Sequence, residues 1–164
     1  MTNYWLNIIL PKQREHWFDV VNELSNGRKE SHWCWYFIPN VPGLGKSVNS
    51  KTFALTPIEF TKCMRNSEYA GNISAIIYMV HNEVSKNPGH DIVEVLGGDE
   101  VSRLKWCSFM TLVRLLYFRT VIDFTSKPIR DIVKASGQRY GTCEYTKVAI
   151  EGVEHELIKY IQKT

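Results

Sequence analysis

The residues most able to do chemistry lie together in "GRKESHWCWYFIPNVPGLGKS", residues 27–47. Arg28, Lys29 and His32 stand beside Trp33, Trp35, Tyr36 and Phe37. Cations next to aromatic rings suit an anionic ligand with a planar group. Arg and Lys meet phosphate or carboxylate, and Trp stacks a base. His32 is the candidate catalytic residue, as a general base, because an imidazole titrates nearest neutrality. The same pattern has a plainer reading. Trp33, Trp35 and Phe37 alternate as the buried face of an extended segment would, and burial is the commoner fate of such rings. Arg28 and Lys29 would then be solvated cations following a helix end.

The stretch ends in Gly45, Lys46 and Ser47, which also close the phosphate loop G-x-x-x-x-G-K-[ST] of nucleotide hydrolases. The first glycine of that pattern would fall on Asn40. A phosphate loop needs a helix directly after its lysine, so that the helix N-terminus and loop amides hold the phosphates together. "VNSKTFALTP" is β-branched and carries no helical apolar period. "TVID", before Phe124, is a poor substitute for the strand-terminal Asp that would hold Mg²⁺. The expectation is a turn-rich loop bent by Pro42, Gly43 and Gly45, with Lys46 incidental.

A second polar group lies downstream in "DEVSRLKWCSFMTLVRLLYF". Lys105 and Ser108 are three apart and share a helix face. They suit a ligand face or a helix–helix hydrogen bond equally well.

The elements that must position these groups read mostly as helix. Trp17, Val20, Val21 and Leu24 make one face of a helix from about Lys12 that stops at Gly27. Thr56, Pro57 and Glu59 open another with a capping box. Ile73, Ile76, Ile77, Val80 and Val84 stack along a third. "HDIVEVLGG" ends at Gly97, and Asp99 is the natural N-cap of the next helix. Its apolar stripe is Val101, Leu104, Ser108, Thr111, Leu112 and Leu115. "PIRDIVKAS" and "EYTKVAIEGVEHELIKYIQ" complete the set. The fold class is mainly α: a compact multi-helical single domain, 1–164, with one long irregular aromatic-rich excursion over residues 31–55. Any strands are expected as short pieces inside that excursion. Long loops in compact domains are usually functional.

Composition narrows the function classes. The 164 residues are 44% hydrophobic and 23% charged, which suits a folded domain. A net charge of +3 with interspersed signs gives no clustered patch for nucleic acid, so no nucleic-acid partner is expected. Cys34, Cys63, Cys107 and Cys143 lie far apart without a C-x-x-C pair, so neither a metal site nor a cofactor is expected. With no apolar run long enough to span a membrane and no basic n-region, the expectation is a reduced, cytoplasmic protein.

The motif resembles the signature of an uncharacterised bacterial family, numbered 1810 among domains of unknown function. The family pattern is roughly G-R-K-x-S-H-W-x-W-[FY]-x-x-P, then G-L-G-x-S. It is met here by Gly27, Arg28, Lys29, Ser31, His32, Trp33, Trp35, Pro39, Gly43, Leu44, Gly45 and Ser47. A later part is matched loosely by Asp99, Lys105, Ser108, Met110, Thr111 and Leu112, with stretched spacing. The likeness runs from Leu24 to about Leu116, and the tail from Asp123 does not follow it. It implies a compact, mostly helical fold and no established activity. Some members carry a calpastatin label, although nothing in this sequence supports protease inhibition. In the family pattern the residue before Ser47 varies, which agrees with an incidental Lys46.

Two functional expectations follow. One is a site for a small anionic, nucleotide- or ADP-ribose-like ligand, binding or hydrolysing it. It would be built from Arg28, Lys29, Trp33 and Trp35, with Lys105 and Ser108 arriving from the later helix and His32 as base. Arg28, His32 and Lys105 are then expected to converge. The alternative is a non-catalytic protein–protein interaction module that docks through the aromatic excursion.

Overall fold

The computed structural model describes residues 4–119 and 127–163, apart from the side chains of residues 117–119. "TVID" falls in residues 120–123, outside the described residues. Among the described residues ten helices follow in chain order: α1 (Tyr4–Ser25), α2 (Cys34–Phe37), α3 (Val48–Thr52), α4 (Pro57–Cys63), α5 (Ser67–Lys86), α6 (Ile92–Leu96), α7 (Glu100–Arg119), α8 (Lys127–Tyr140), α9 (Glu144–Glu151) and α10 (Glu154–Gln162). The fold is mainly α, and no strand occurs among the described residues.

The hydrophobic centre is α5. Its Ile73, Ile76, Ile77 and Val80 are fully buried, each burial worth about 1.5–3 kcal/mol. Against it pack α1, α2, α6 and α8, while α7 joins α4, α6, α8 and α9. Local signals set the helix starts. Thr56 and Glu59 form a reciprocal capping box with Pro57 at the first turn. Asn66 caps Tyr69 N–H at the head of α5. The Asp99 carboxylate accepts the Ser102 N–H at 2.8 Å and the Ser102 hydroxyl at 2.7 Å at the head of α7.

Four expectations need correction. Helix α1 begins at Tyr4 rather than near Lys12 and continues through Pro11. Burial of Ile9 and Leu10 against the core offsets what the proline costs. The segment 33–37 is a helical turn rather than a strand, so Trp33 and Phe37, four apart, share the buried face. Their rings meet edge-on, 6.0 Å between centroids. Val101 and Leu104 are 55% and 45% exposed, because α7 buries Trp106, Phe109, Met110, Val113 and Leu116 instead. Ser108, Thr111 and Leu112 are also buried, as suits a helix covered on several sides. The last predicted helix divides into α9 and α10 at Gly152.

Candidate anion-binding site

The segment carrying the cations is held by one carboxylate. Two residues past the end of α1, Gly27 with a φ of +89° turns the chain back. Glu23, one turn earlier, then accepts the N–H of Glu30 at 2.8 Å, the N–H of Ser31 at 3.1 Å and the indole N–H of Trp33 at 2.7 Å. Desolvation works to raise the Glu23 carboxyl, but the nearby Ser31 side chain and these three bonds together hold it below the usual carboxylate range. Lys29 N–H donates to Val95 O at 2.8 Å and pins the segment to α6. On the facing side Gly97 and Gly98 have φ of +120° and +89°, a conformation that favours glycine, and turn α6 sharply into α7. Arg28 lies against this corner, its guanidinium 3.5 Å from Gly97 O. The Asn40 amide group donates to Ile38 O and Lys105 O, both at 3.3 Å, and ties the far end of α2 to α7.

Between these walls lies a cavity of about 440 Å³, bordered by Arg28, Lys29, Glu30, His32, Cys34, Trp35, Ile38, Leu96, Gly97, Asp99, Ser102 and Lys105. The Lys105 ammonium sits 3.9 Å above the centroid of the Trp35 ring, a cation–π contact. Arg28, Lys29 and Lys105 form no ion pair with a carboxylate of the described residues. Burial pulls the Lys105 ammonium below the ordinary lysine value and nearby Lys29 adds to this, against the opposing charge of Asp99. Asp99 itself is held below the usual carboxylate range by its bonds from Ser102. Burial pushes the Cys34 thiol up to about 12, more than Lys29 and Lys105 offset, so Cys34 is a neutral thiol at physiological pH rather than a nucleophile.

Five of the seven residues expected at a site, Arg28, Lys29, His32, Trp35 and Lys105, border this one cavity. Trp33 and Ser108 are placed elsewhere. Trp33 is fully buried, with its indole N–H on Glu23. Ser108 is buried between α7 and α9, sharing a 2.7 Å hydrogen bond with Thr146, the helix–helix alternative for that residue. Glu30, Cys34, Asp99 and Ser102 join the cavity without having been read as site residues; for Asp99 and Ser102 the spacing of the α7 cap was the available signal.

The loop ending in Gly45-Lys46-Ser47 is not a phosphate loop. A helix does follow it, contrary to expectation, but α3 has five residues and Ser47 Oγ is its N-cap, accepting the Ser50 N–H at 3.1 Å. No strand among the described residues precedes it. Gly45 is needed for closeness, since a Cβ there would run into the Ser50 side chain.

No group of three or more His, Cys, Asp or Glu able to hold a metal occurs among the described residues. None of their helices is long and apolar enough to cross a membrane. The four cysteines are free thiols.

Helical architecture and this cavity define a small α-helical protein with a polar concavity among its described residues. The chain belongs to the family described as protein of unknown function (DUF1810), whose pattern matches residues 3–125. It is similar to the crystal structure of the conserved hypothetical protein Rv1873 from Mycobacterium tuberculosis, with a TM-score of 0.64 and 25% identity over 83% of this chain and 87% of that one. No curated protein matches.

Proposed function

We propose that the protein binds a small anionic ligand of the nucleotide or ADP-ribose type in the cavity between the Arg28–Cys34 segment and the α6–α7 corner. The observation that carries this reading is the gathering of Arg28, Lys29 and Lys105 around one concavity without an ion-paired carboxylate. Like charges held together and partly stripped of water are costly, and an anion between them relieves that cost. Glu30 and Asp99 on the same walls suit hydroxyl groups, since an ionised carboxylate only accepts hydrogen bonds. A phosphorylated sugar presents both chemistries, and a volume of about 440 Å³ lies in the range of small-molecule sites. The Trp35 face beneath Lys105 is already occupied, so that face of the ring poises the ammonium rather than stacking a base. If the ligand is hydrolysed, His32 is the base on the cavity wall.

A docking module is less well supported. Trp33 and Phe37 are spent in the core, and the half-buried Tyr36 packs between His16 and Phe53. The test is titration calorimetry with inorganic phosphate, AMP and ADP-ribose on the wild type and on Arg28→Ala and Lys105→Ala. Loss of one charge-assisted contact should weaken binding by about tenfold or more. Wild-type affinity for none of the three, or undiminished affinity in both variants, would overturn the proposal.

A further inference from the structure

Trp35 and Lys105 also border a second hollow, of about 230 Å³, on the other side of the cavity already described. Its walls are Leu44 and Gly45 from the loop, Ser50 from α3, and Val101 and Leu104 from α7. Val101 and Leu104 are large apolar side chains left about half in water, whereas Trp106, Phe109, Met110, Leu112, Val113 and Leu116 of the same helix are buried. The opposite wall is preformed. The Tyr145 hydroxyl donates to Pro42 O at 2.9 Å, in space that only a glycine at position 43 leaves open, and the absent Cβ of Gly45 admits Ser50. The Asn40 amide nitrogen is committed to two carbonyls, which leaves its Oδ1 as an acceptor on the same wall.

We propose that this hollow is a nucleobase subsite of the same binding site: a ligand whose phosphate lies among Arg28, Lys29 and Lys105 lays its planar heterocycle past the Trp35–Lys105 pair and against Val101 and Leu104. This rests on the anion-binding reading and deepens it. Two observations point to a ring of the same ligand. The two hollows share Trp35 and Lys105 as a common wall, so a ligand that passes over this pair reaches both. The second is apolar on its α7 side and offers an acceptor, Asn40 Oδ1, for the exocyclic amine of a base such as adenine. The loop "PGLGKS" is then neither a phosphate loop nor an idle turn. It is the rigid wall against which the ring is packed, and Lys46 at its exposed rim carries no phosphate.

The experiment compares AMP with ribose 5-phosphate, which lacks the ring, by titration calorimetry. The wild type should bind AMP about tenfold or more tighter than ribose 5-phosphate, since covering roughly 60 Å² or more of apolar surface on Val101, Leu104 and the ring is worth about 1.4 kcal/mol. Leu104→Trp, which fills the hollow from an exposed position, should bring AMP down to the affinity of ribose 5-phosphate while leaving the latter within about twofold of wild type. Val101→Arg is the second variant should Leu104→Trp fail to fold, with the same expectation. AMP and ribose 5-phosphate binding equally to the wild type, or both weakened alike by the variant, overturns this inference and leaves the anion site standing. Binding of neither to the wild type overturns both.

Discussion

Replacing Glu23 tests whether one carboxylate shapes the cavity. Oε2 accepts from Glu30 N–H at 2.8 Å and from the Trp33 indole at 2.7 Å, while the Ser31 N–H is shared between Oε1 and Oε2, 3.1 Å from each. Glu23→Gln with its amide oxygen at the Oε2 position keeps all three donors there, without the charge, but loses the Oε1 share of the Ser31 bond and turns an NH₂ toward that N–H. Hydrogen bonds to charged groups are worth about 1.5–3 kcal/mol and neutral ones about 1, so Gln should cost roughly 1–2 kcal/mol. Glu23→Ala also orphans the indole N–H of the fully buried Trp33 and should cost about 3 kcal/mol. Glu30 N–H lies at an exposed residue and regains water, which keeps the figure from being larger. Urea unfolding followed by circular dichroism measures both. The pH dependence supplies an independent readout. Because the folded carboxyl titrates below its unfolded value of about 4.3, its contribution is complete above that value and is lost as pH falls through the lower, folded one. The gap between wild type and Glu23→Gln should therefore be constant from about pH 5 to 8 and narrow below about pH 4. A Glu23→Ala protein within about 0.5 kcal/mol of wild type at pH 7 would refute the reasoning. Anion affinity should fall in the same variant, since Arg28, Lys29 and His32 ride on the segment that Glu23 holds.

Further outcomes separate the cavity from the scaffold. Ser108→Ala should cost about 1–2 kcal/mol by leaving Thr146 unpaired in the core, with ligand affinity unchanged. Lys46→Ala should leave affinity for phosphate and AMP unchanged, and the wild type should show no Mg²⁺-dependent binding of ATP or GTP. Gly43→Ala should destabilise by about 1–3 kcal/mol, through its φ of +90° and the collision of the new Cβ with the Tyr145 hydroxyl, and should blunt the preference for AMP over ribose 5-phosphate. Cys34 should resist iodoacetamide at pH 7.5 in the native protein and react on unfolding, as mass mapping of the modified peptide would show.

The helices were legible wherever one face met the core. The α5 stripe from Ile73 to Val84 is buried as its period requires. Caps built from adjacent residues, such as Thr56 with Glu59 and Asp99 with Ser102, are local chemistry and could be read directly. Val101 and Leu104 could not, because which side of α7 is covered depends on α6, α8 and α9, whose docking leaves no trace in α7's own pattern. Trp33 and Trp35 show the same limit over a shorter distance. Alternation by two suggested a strand, yet one helical turn sends Trp33 to the core and Trp35 to the cavity. Arg28, His32 and Lys105 were gathered on residue type and family likeness, and what brings them together is a set of backbone links that composition does not display. Lys29 N–H to Val95 O and Asn40 to Lys105 O are two of these.

The cavity's two walls are remote in the chain: Arg28 reaches Gly97 across 69 residues, and Asn40 reaches Lys105 across 65. Closing so long a stretch costs chain entropy before any contact across it is made, so the site should assemble late in folding, after α5 has gathered its neighbours. A molecule gripped from both sides would act as a removable crosslink, present in the native state and absent from the unfolded one. It should slow unfolding more than it speeds folding, because the transition state would not yet hold both of its handles. In a ligand-poor setting the α6–α7 corner is then the place where the protein should first come apart.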